Sequence, residues 1–293
     1  MNAVTPTRPV LRWHGGKWKL APWIISHFPA HQIYIEPFGG AGSVLLRKQA
    51  AQVEVFNDLD GRLVSFFQVL RNEETRRRLI RALRLTPFSE AEYRTSLESC
   101  PDDAVEDARR LSVRQAFAHG TDSARRVSGF RVEVFSDYKR GPYEWSRYAR
   151  ALVWTARRLR NVCLSNRDWR ALARRATADT LLYLDPPYLP ETRRDGSRAY
   201  THELSEGDHA GLLEVLPSLK GMIILSGYPS PLYDDALPGW RRVERQAFAD
   251  GARPRTEVIW INQQACAALK PASQNDMFAG ALSFSQAQQK DAT

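Results

Sequence analysis

The sequence has no long apolar run. No 18 consecutive residues are apolar, and the first residues, MNAVTPTRPVLRW, contain no apolar segment of the kind found in a secretory signal. These two absences predict a soluble, cytoplasmic protein. The chain has 293 residues, of which 43% are hydrophobic and 26% are charged. This composition is typical of a globular protein, and the length suits one large domain, with or without a smaller inserted one.

Cysteine is scarce as well. The three cysteines, Cys100, Cys163 and Cys266, lie far apart and form no CxxC or Cys/His pattern. Their odd number and their spacing argue against a disulfide framework and against a zinc site. We therefore expect buried thiols and no bound metal.

One part of the chain has few acidic residues. Residues 125–175 contain 14 Arg and Lys but only 4 Asp and Glu, a local net charge of +10 in a chain whose formal net charge is +9. Such a concentration indicates a polyanionic partner, although a solvated, arginine-rich helix face explains it about equally often. The interleaved aromatic residues of RVEVFSDYKRGPYEWSRY favour nucleic acid.

Seven short apolar runs bounded by turn residues predict strands. Segments with helical periodicity separate most of these runs, which indicates a mainly parallel α/β sheet. Only ADGARPRT separates the last two, which predicts an antiparallel edge pair. The runs are residues 33–35, 53–56, 162–164, 181–184, 222–225, 243–248 and 258–261.

Helical patterns dominate between the second and third predicted strands. We therefore predict a catalytic domain over residues 8–60 and 161–270, interrupted by a helical insertion over residues 61–160. The insertion contains a basic loop, HGTDSARRVSGFRVEVFSDYKRGPYE, with room for a short hairpin. Residues 271–293 are predicted to be a loosely ordered polar tail.

A glycine-rich turn follows the first predicted strand. In IYIEPFGGAGSVLL the strand is followed by Glu36, by three glycines and by a predicted helix that opens with Ser43. The pattern is neither the dinucleotide fingerprint nor a P-loop. A carboxylate at Glu36 would repel a pyrophosphate, but it suits a ligand that carries an ammonium or sulfonium charge.

A second acid follows the second predicted strand. Asp58, in EVFNDLD, comes about 20 residues after Glu36, the distance at which an acid binds a ribose diol. The two acids together suggest a cationic nucleoside, of which S-adenosylmethionine is the common one. The alternative is two surface acids at strand ends.

The fourth predicted strand ends in Asp185-Pro186-Pro187-Tyr188. Two prolines fix the backbone twice and make the turn rigid. The turn also lies beside the ligand crevice that this topology predicts. We therefore expect it to belong to a functional site.

These motifs, in this order, resemble the Dam-like, D12-class (α-group) DNA adenine-N6 methyltransferases. RWHGGKWKL resembles the W-x-G-G-K element of that family, EPFGGAGS its cofactor loop, NDLD its ribose-binding acid, and DPPY its catalytic tetrapeptide. SNRDW supplies Asp168, which resembles the contact to the adenine of the cofactor. The resemblance implies a Rossmann-like S-adenosylmethionine-dependent methyltransferase sheet in which the helical insertion is the target-recognition domain.

The resemblance also implies the chemistry. The enzyme would transfer a methyl group from S-adenosylmethionine to the N6 amine of an adenine flipped out of duplex DNA. The Asp185 carboxylate and the Pro186 carbonyl would accept the two N6 hydrogens, and Tyr188 would stack on the base. The implied cofactor site is Trp13, Lys17, Glu36, Phe38, Gly39, Gly40, Gly42, Ser43, Asp58, Asp168 and Asp185.

Several of these residues have a structural alternative. Trp13 would also suit a position in the core, and Lys17 a position on the surface. A core position explains Phe38 at least as well as a cofactor contact does. Asp168 could cap a helix that begins at Trp169. Predicted phosphate contacts, which would position DNA without reading it, are Arg125, Arg126, Arg131, Lys139, Arg140 and Arg147.

Other functions compete with adenine methylation. Cytosine-N4 methylation uses the same exocyclic-amine chemistry, and a non-catalytic nucleic-acid-binding relic of the fold is a further alternative. We expect a monomer that acts on double-stranded DNA without a membrane or a metal. A cognate restriction endonuclease is a candidate partner.

Overall fold

The computed structural model describes residues 9–98, 102–118, 129–131, 140–192, 200–249 and 253–269. All seven predicted strands are present in one sheet with the order β3-β2-β1-β4-β5-β7-β6. The strands are β1 (Ile33–Glu36), β2 (Val53–Asn57), β3 (Val162–Ser165), β4 (Thr180–Leu184), β5 (Met222–Gly227), β6 (Arg241–Ala249) and β7 (Arg253–Ile261).

The sheet is mostly parallel, as predicted. Strands β1 to β5 pair in parallel, whereas β7 is antiparallel to both β5 and β6. The predicted antiparallel edge is therefore confirmed. The strand order also reverses between β1 and β4, and in an open parallel sheet a ligand crevice forms at the carboxyl end of such a switch point.

Alternate residues of the central strands enter two separate cores. Tyr34, Tyr183 and Ile224 belong to one buried cluster, while Leu182 and Leu225 belong to the other. Successive side chains of a strand point to opposite faces, so the two clusters lie on opposite faces of the sheet. We call the face that carries Tyr34 and Tyr183 the tyrosine face.

Helices on both faces cover the sheet. They are α1 (Ala21–Ile25), α2 (Gly61–Arg71), α3 (Glu73–Leu85), α4 (Glu90–Ser96), α5 (Ala104–Phe117), α6 (Arg140–Arg158), α7 (Trp169–Ala173), α8 (Glu206–Val215), α9 (Pro231–Ala236) and α10 (Gln263–Ala268). Short 3-10 helices occur at Leu159–Asn161, Pro190–Thr192 and Leu216–Ser218. None of the helices in the described ranges is long and apolar enough to cross a membrane.

The predicted helical content between β2 and β3 is confirmed by α2 to α6. Apolar residues at helical spacing are buried on α2 and on α6, among them Leu63, Phe67, Trp145 and Leu152. These side chains share one core with the tyrosine face of the sheet. These helices therefore pack directly against the strands of the sheet.

The helix predicted to open at Ser43 does not form, and residues 43–47 are consecutive turns. Between residues 42 and 48 the bonds to the carbonyl four residues earlier are interrupted, because the Arg47 N–H donates to the Val44 carbonyl three residues back (3.1 Å). A regular α-helix needs the four-residue bond at every position. The segment therefore forms separate turns, in which the Leu45 N–H donates to Glu36 Oε2 (3.0 Å).

Two further expectations are wrong. Cys163 is exposed, because β3 is an edge strand, and Cys266 is only half-buried; Cys100 lies outside the described residues. The predicted basic loop also ends earlier than expected, since α6 begins at Arg140. Most of that loop and the polar tail lie outside the described residues. At the edge of the loop, an antiparallel bridge joins Ala118 to Phe130.

Candidate active site

A cavity of about 280 Å³ lies at the carboxyl end of the parallel strands. The segments after β1, β2, β3 and β4 line it, together with an N-terminal segment and residues 200–204. Ten of the eleven predicted cofactor residues line this cavity: Trp13, Lys17, Glu36, Phe38, Gly39, Gly40, Ser43, Asp58, Asp168 and Asp185. Gly42 does not line it.

The glycine turn contains positions at which a side chain would not fit. Gly40 and Gly42 have φ values of 50° and 67°, a region that residues with a side chain rarely adopt. A Cβ on Gly39 would lie 2.1 Å from the ring of Phe56. Gly42 therefore shapes the turn, while Gly39 and Gly40 bring the backbone to the cavity wall.

Glu36 is buried at the start of this turn. Its Oε2 accepts hydrogen bonds from the Tyr34 hydroxyl (2.6 Å) and the Leu45 N–H (3.0 Å). Burial raises the pKa of Glu36 to about 8, even though the Tyr34 hydrogen bond acts in the opposite direction. No lysine or arginine of the described residues lies within ion-pair distance of Glu36, so its charge has no cationic partner.

Asp58 joins the second strand to the turn. Its Oδ2 accepts from the Gly40 N–H (2.8 Å), and its Oδ1 accepts from the Asp60 N–H (2.9 Å). Burial raises the pKa of Asp58 to about 6, with these backbone hydrogen bonds opposing the rise. Within the described part of the chain, Asp58 forms no ion pair either.

Asp185 has a different environment. Its Oδ1 lies 3.0 Å from the Lys17 ammonium and accepts a hydrogen bond from the Ser226 hydroxyl (2.7 Å). Lys17 is almost fully buried and also donates to the Gly15 carbonyl (2.7 Å). Burial alone would lower the pKa of Lys17, but Asp185 and Glu257 raise it more, so the pKa lies above its ordinary value.

Tyr188 lies behind this ion pair and not in the cavity lining. Its ring is only 6% exposed. The Lys17 ammonium lies 4.5 Å from the ring centroid, and the Tyr228 ring packs edge-on with a centroid distance of 4.5 Å. The Tyr188 hydroxyl donates to the buried Glu257 carboxylate (2.9 Å). Pro187 lines the cavity whereas Pro186 does not.

Asp168 caps α7, because its carboxylate accepts from the Arg170 N–H (2.8 Å). The predicted cap is thus confirmed, and Asp168 lines the cavity as well. The Phe38 ring lies 6.3 Å from the Trp169 ring and belongs to the periphery of the second core. Phe38 therefore combines the packing role and the cavity position that the sequence left as alternatives.

Three further functional candidates belong to none of the sequence motifs. Ser226 and Glu257 contact the Asp-Pro-Pro-Tyr turn from β5 and β7. Residues 200–204 form a wall of the cavity, where the Thr201 hydroxyl donates to Asp60 (3.0 Å). Strand alternation could have revealed Ser226 and Glu257, since each interrupts an otherwise apolar series on the tyrosine face.

The predicted phosphate contacts are only partly described. Arg147 is exposed on α6, where it donates to the Tyr143 hydroxyl, and Arg131 lies 3.5 Å from Glu144. The backbone of Arg140 begins α6. Arg125, Arg126 and Lys139 lie outside the described residues.

Comparison with known proteins identifies relatives over most of the chain. A family model described as D12 class N6 adenine-specific DNA methyltransferase matches residues 13–237. A DNA adenine methylase of Serratia marcescens is 29% identical over 220 residues, which cover 73% of this chain and 79% of that protein. A DNA adenine methylase of Vibrio cholerae is 26% identical over 215 residues, which cover 71% and 75%. A type II methyltransferase of Lactococcus lactis subsp. cremoris is 25% identical over 242 residues, which cover 78% and 84%.

Proposed function

The chain belongs to the D12 class of N6 adenine-specific DNA methyltransferases, and we propose here how its cleft performs that reaction. The chain is an enzyme that methylates adenine at specific sites in DNA, and the comparisons do not favour cytosine-N4 methylation. The roles of individual residues, the cofactor and the mode of DNA binding are the content of the proposal.

We propose that the half of the cleft around Glu36 and Asp58 binds S-adenosylmethionine. Glu36 is buried, Asp58 is half-buried, and neither has a cationic partner among the described residues. Beside a cavity of about 280 Å³, these two acids fit a ligand that carries positive charge and a ribose. This ligand supplies a methyl group on a positively charged sulfur. Asp58 would hold the ribose hydroxyls, Asp168 the adenine, and the glycine turn would lie against the ligand.

The half around Asp185 receives the target adenine in this proposal. The N6 lone pair is delocalised into the ring, and acceptance of the N6 hydrogens by the Asp185 carboxylate and the Pro186 carbonyl opposes that delocalisation. The bound cofactor would supply the methyl group: its C–S bond would break as the N–C bond forms, a neutral thioether would leave, and the positive charge would pass to N6. One proton would then leave N6, with the Asp185 carboxylate as its acceptor. The remaining contribution is alignment of the two reactants.

Tyr188 would stack on the flipped base. Because its ring is covered by Lys17 and Tyr228 in the structure, stacking requires at least one of these side chains to move. A flipped base enters such a pocket at the cost of unstacking from the duplex, which stacking on an aromatic ring offsets in part.

The helices between β2 and β3 serve as the target-recognition domain in this proposal, since they carry the basic segment and pack against the catalytic strands. The predicted arginines and Lys139 would contact phosphates and position the duplex. The enzyme would act as a monomer, and a cognate restriction endonuclease is a candidate partner.

The single observation that supports this assignment most is the convergence of Glu36, Asp58 and Asp185 on one cavity. The test is incubation of the chain with duplex DNA and S-adenosylmethionine labelled in its methyl group, followed by digestion of the DNA to nucleosides. Labelled N6-methyl-2′-deoxyadenosine is expected. Labelled N4-methyl-2′-deoxycytidine would contradict the target base, and no transfer under conditions where the DNA is bound would favour a non-catalytic protein.

A further inference from the structure

Ser226 is a buried serine at the end of β5, and it touches the carboxylate to which we assign the target amine. It is 1% exposed. Its hydroxyl donates to Asp185 Oδ1 at 2.7 Å, while the Leu184 carbonyl lies farther away at 3.3 Å. A hydroxyl has one hydrogen, and a charged acceptor at the shorter distance holds it more strongly. The Ser226 hydrogen is therefore committed to Asp185.

The sheet itself places Ser226 there. Strands β4 and β5 pair in parallel up to Leu184 opposite Leu225. Asp185 follows directly after β4, and Ser226 is the next residue of β5. Both lie on the tyrosine face, because Tyr183 and Ile224 two residues earlier are buried in its core. The contact is thus fixed by backbone pairing and not by a flexible loop.

A second hydroxyl supports the first. The Tyr183 hydroxyl lies 3.1 Å from Ser226 Oγ and is fully buried. Since Ser226 gives its hydrogen to Asp185, Tyr183 must be the donor in the pair. The result is a chain of hydrogen bonds from Tyr183 through Ser226 to Asp185 Oδ1.

Asp185 Oδ1 thus receives two donors, the Ser226 hydroxyl and the Lys17 ammonium at 3.0 Å. Asp185 itself is part of the cavity lining, and its side chain is 17% exposed. No donor of the described residues contacts Oδ2. One oxygen of the carboxylate is therefore held by the protein, and the other is available to a ligand in the cavity.

We propose that Ser226 is a positioning residue for methyl transfer: it fixes Oδ1 of Asp185 so that Oδ2 alone accepts the N6 hydrogen of the target adenine. This inference rests on the proposed role of Asp185. Ser226 acts through Asp185 and touches neither the base nor the cofactor. Its effect belongs to the chemical step and not to binding.

The test compares Ser226→Ala, Ser226→Cys and Ser226→Thr with the wild-type chain in single-turnover and steady-state methylation. Loss of the hydrogen bond to a charged group should lower kcat about 10- to 100-fold, with the KM for S-adenosylmethionine unchanged. Cysteine is close to serine in size but is a weak donor, so it should also be impaired, while threonine keeps the hydroxyl and should recover most of kcat. Fluorescence of 2-aminopurine at the target position should report normal base flipping in all three variants.

Ser96→Ala is the matched control. Ser96 is also fully buried and donates one hydrogen bond, to the Tyr93 carbonyl at 2.6 Å, but it lies on α4. It should keep wild-type kcat. If Ser226→Ala or Ser226→Cys turns over at the wild-type rate, or if Ser226→Ala and Ser96→Ala lose kcat only in proportion to a fall in Tm, the inference is wrong. If Asp185→Asn also turns over normally, the proposed role of Asp185 fails as well, whereas an inactive Asp185→Asn beside an active Ser226→Ala overturns the positioning role alone.

Discussion

Glu36 and Asp58 lie in one half of the cleft, where no cation of the described residues pairs with them, whereas Asp185 lies in the other half at 3.0 Å from Lys17. All three are acids at the carboxyl end of the same sheet. Burial raises the pKa of Glu36 to about 8 and that of Asp58 to about 6. Ionisation of the acids in the cofactor half is therefore costly in the free chain, whereas Asp185 in the target half has the Lys17 ammonium beside it.

This difference fits the two ligands of the proposal. A sulfonium and an ammonium group bring positive charge into the first half and relieve the cost of the buried carboxylates there. The target adenine is neutral and brings no such charge. The Asp185 carboxylate, which would accept hydrogen bonds from this neutral amine, already has the Lys17 ammonium as its cationic partner at 3.0 Å.

Replacement of Asp185 should produce the largest effect of any change in the cleft. Asp185→Asn should lower kcat by about 10²- to 10⁴-fold, because an amide cannot accept the proton that leaves N6. The affinity for S-adenosylmethionine should stay within a small factor of wild type, since the cofactor half is unchanged. Single-turnover methylation and calorimetry measure the two quantities.

Asparagine is a better test here than alanine. Asp185→Ala would leave the buried Lys17 ammonium without its carboxylate partner, and removal of one member of a buried pair is strongly destabilising. Loss of activity in the alanine variant would therefore mix chemistry with unfolding. Near wild-type turnover of Asp185→Asn would mean that the Asp-Pro-Pro-Tyr turn is structural.

Changes in the cofactor half should act on affinity and not on the chemical step. Glu36→Gln and Asp58→Asn each remove a charged contact of about 1.5–3 kcal/mol, so each should weaken binding of S-adenosylmethionine about 10- to 100-fold. Calorimetry at pH 8 measures this directly.

Glu257→Gln is the matched control for this pair, because Glu257 is a buried acid with a raised pKa that contacts the target half through Tyr188. It should leave cofactor affinity unchanged. If Glu36→Gln and Asp58→Asn both fold and bind S-adenosylmethionine with wild-type affinity, the cofactor does not bind beside these acids. An equal loss of affinity in Glu257→Gln would show that the two halves of the cleft do not differ in this respect.

The sequence predicts the cavity lining around Glu36 and Asp58 better than the contacts around Asp185. Glu36, Asp58 and the glycines follow strands closely, and their spacing along the chain carries the signal. Even there, the helix expected at Ser43 does not form, because the Arg47 N–H bonds to a carbonyl three and not four residues back. The spacing of apolar residues does not distinguish such turns from a regular helix.

In the target half the decisive contacts are long-range. Lys17 and Asp185 lie far apart in the sequence but form an ion pair, and Glu257 on the antiparallel strand β7 accepts a hydrogen bond from Tyr188. Neither pairing follows from local periodicity, although alternation along β5 and β7 marks Ser226 and Glu257 as polar residues on an apolar face. The sheet order, which local patterns leave undetermined, decides which strands become neighbours.

A smaller effect is expected on the pH dependence of the free energy of unfolding, to which the acids of the cofactor half contribute. The folded pKa of Glu36 is about 8, above the ordinary value of 4.5, so the folded state binds more protons than the unfolded state between these values. The free energy of unfolding therefore falls as pH rises from about 4.5 to about 8, and Asp58 contributes likewise between 3.8 and about 6.

Glu36→Gln removes the contribution of Glu36 to this fall in the free energy of unfolding. It should be more stable than the wild-type chain at pH 9 by about 1 kcal/mol or more, and the gain should shrink at pH 5. Urea unfolding at the two pH values measures the difference. A variant that is less stable than wild type at pH 9 would show that Glu36 is ionised at little cost in the folded chain.

The smallest effect is expected from arginine replacements in the basic part of the chain, residues 125–175, on the affinity for DNA. These replacements test whether the DNA contacts extend beyond the residues around Asp185. Replacement of Arg125, Arg126 and Arg131 together, or of Arg147 alone, should weaken binding to specific and to unrelated duplexes about equally. The slope of log affinity against log salt should flatten by about 0.9 for each phosphate interaction that is removed, because fewer counterions are released on binding.

Arg77→Ala is the control, since Arg77 is exposed on α3 and already pairs with Glu73. Cofactor affinity should not change in any of these variants. A loss confined to one DNA sequence would assign the arginines to base reading, and an unchanged salt slope would identify the segment as a solvated helix face, which would limit the target half to the residues around Asp185.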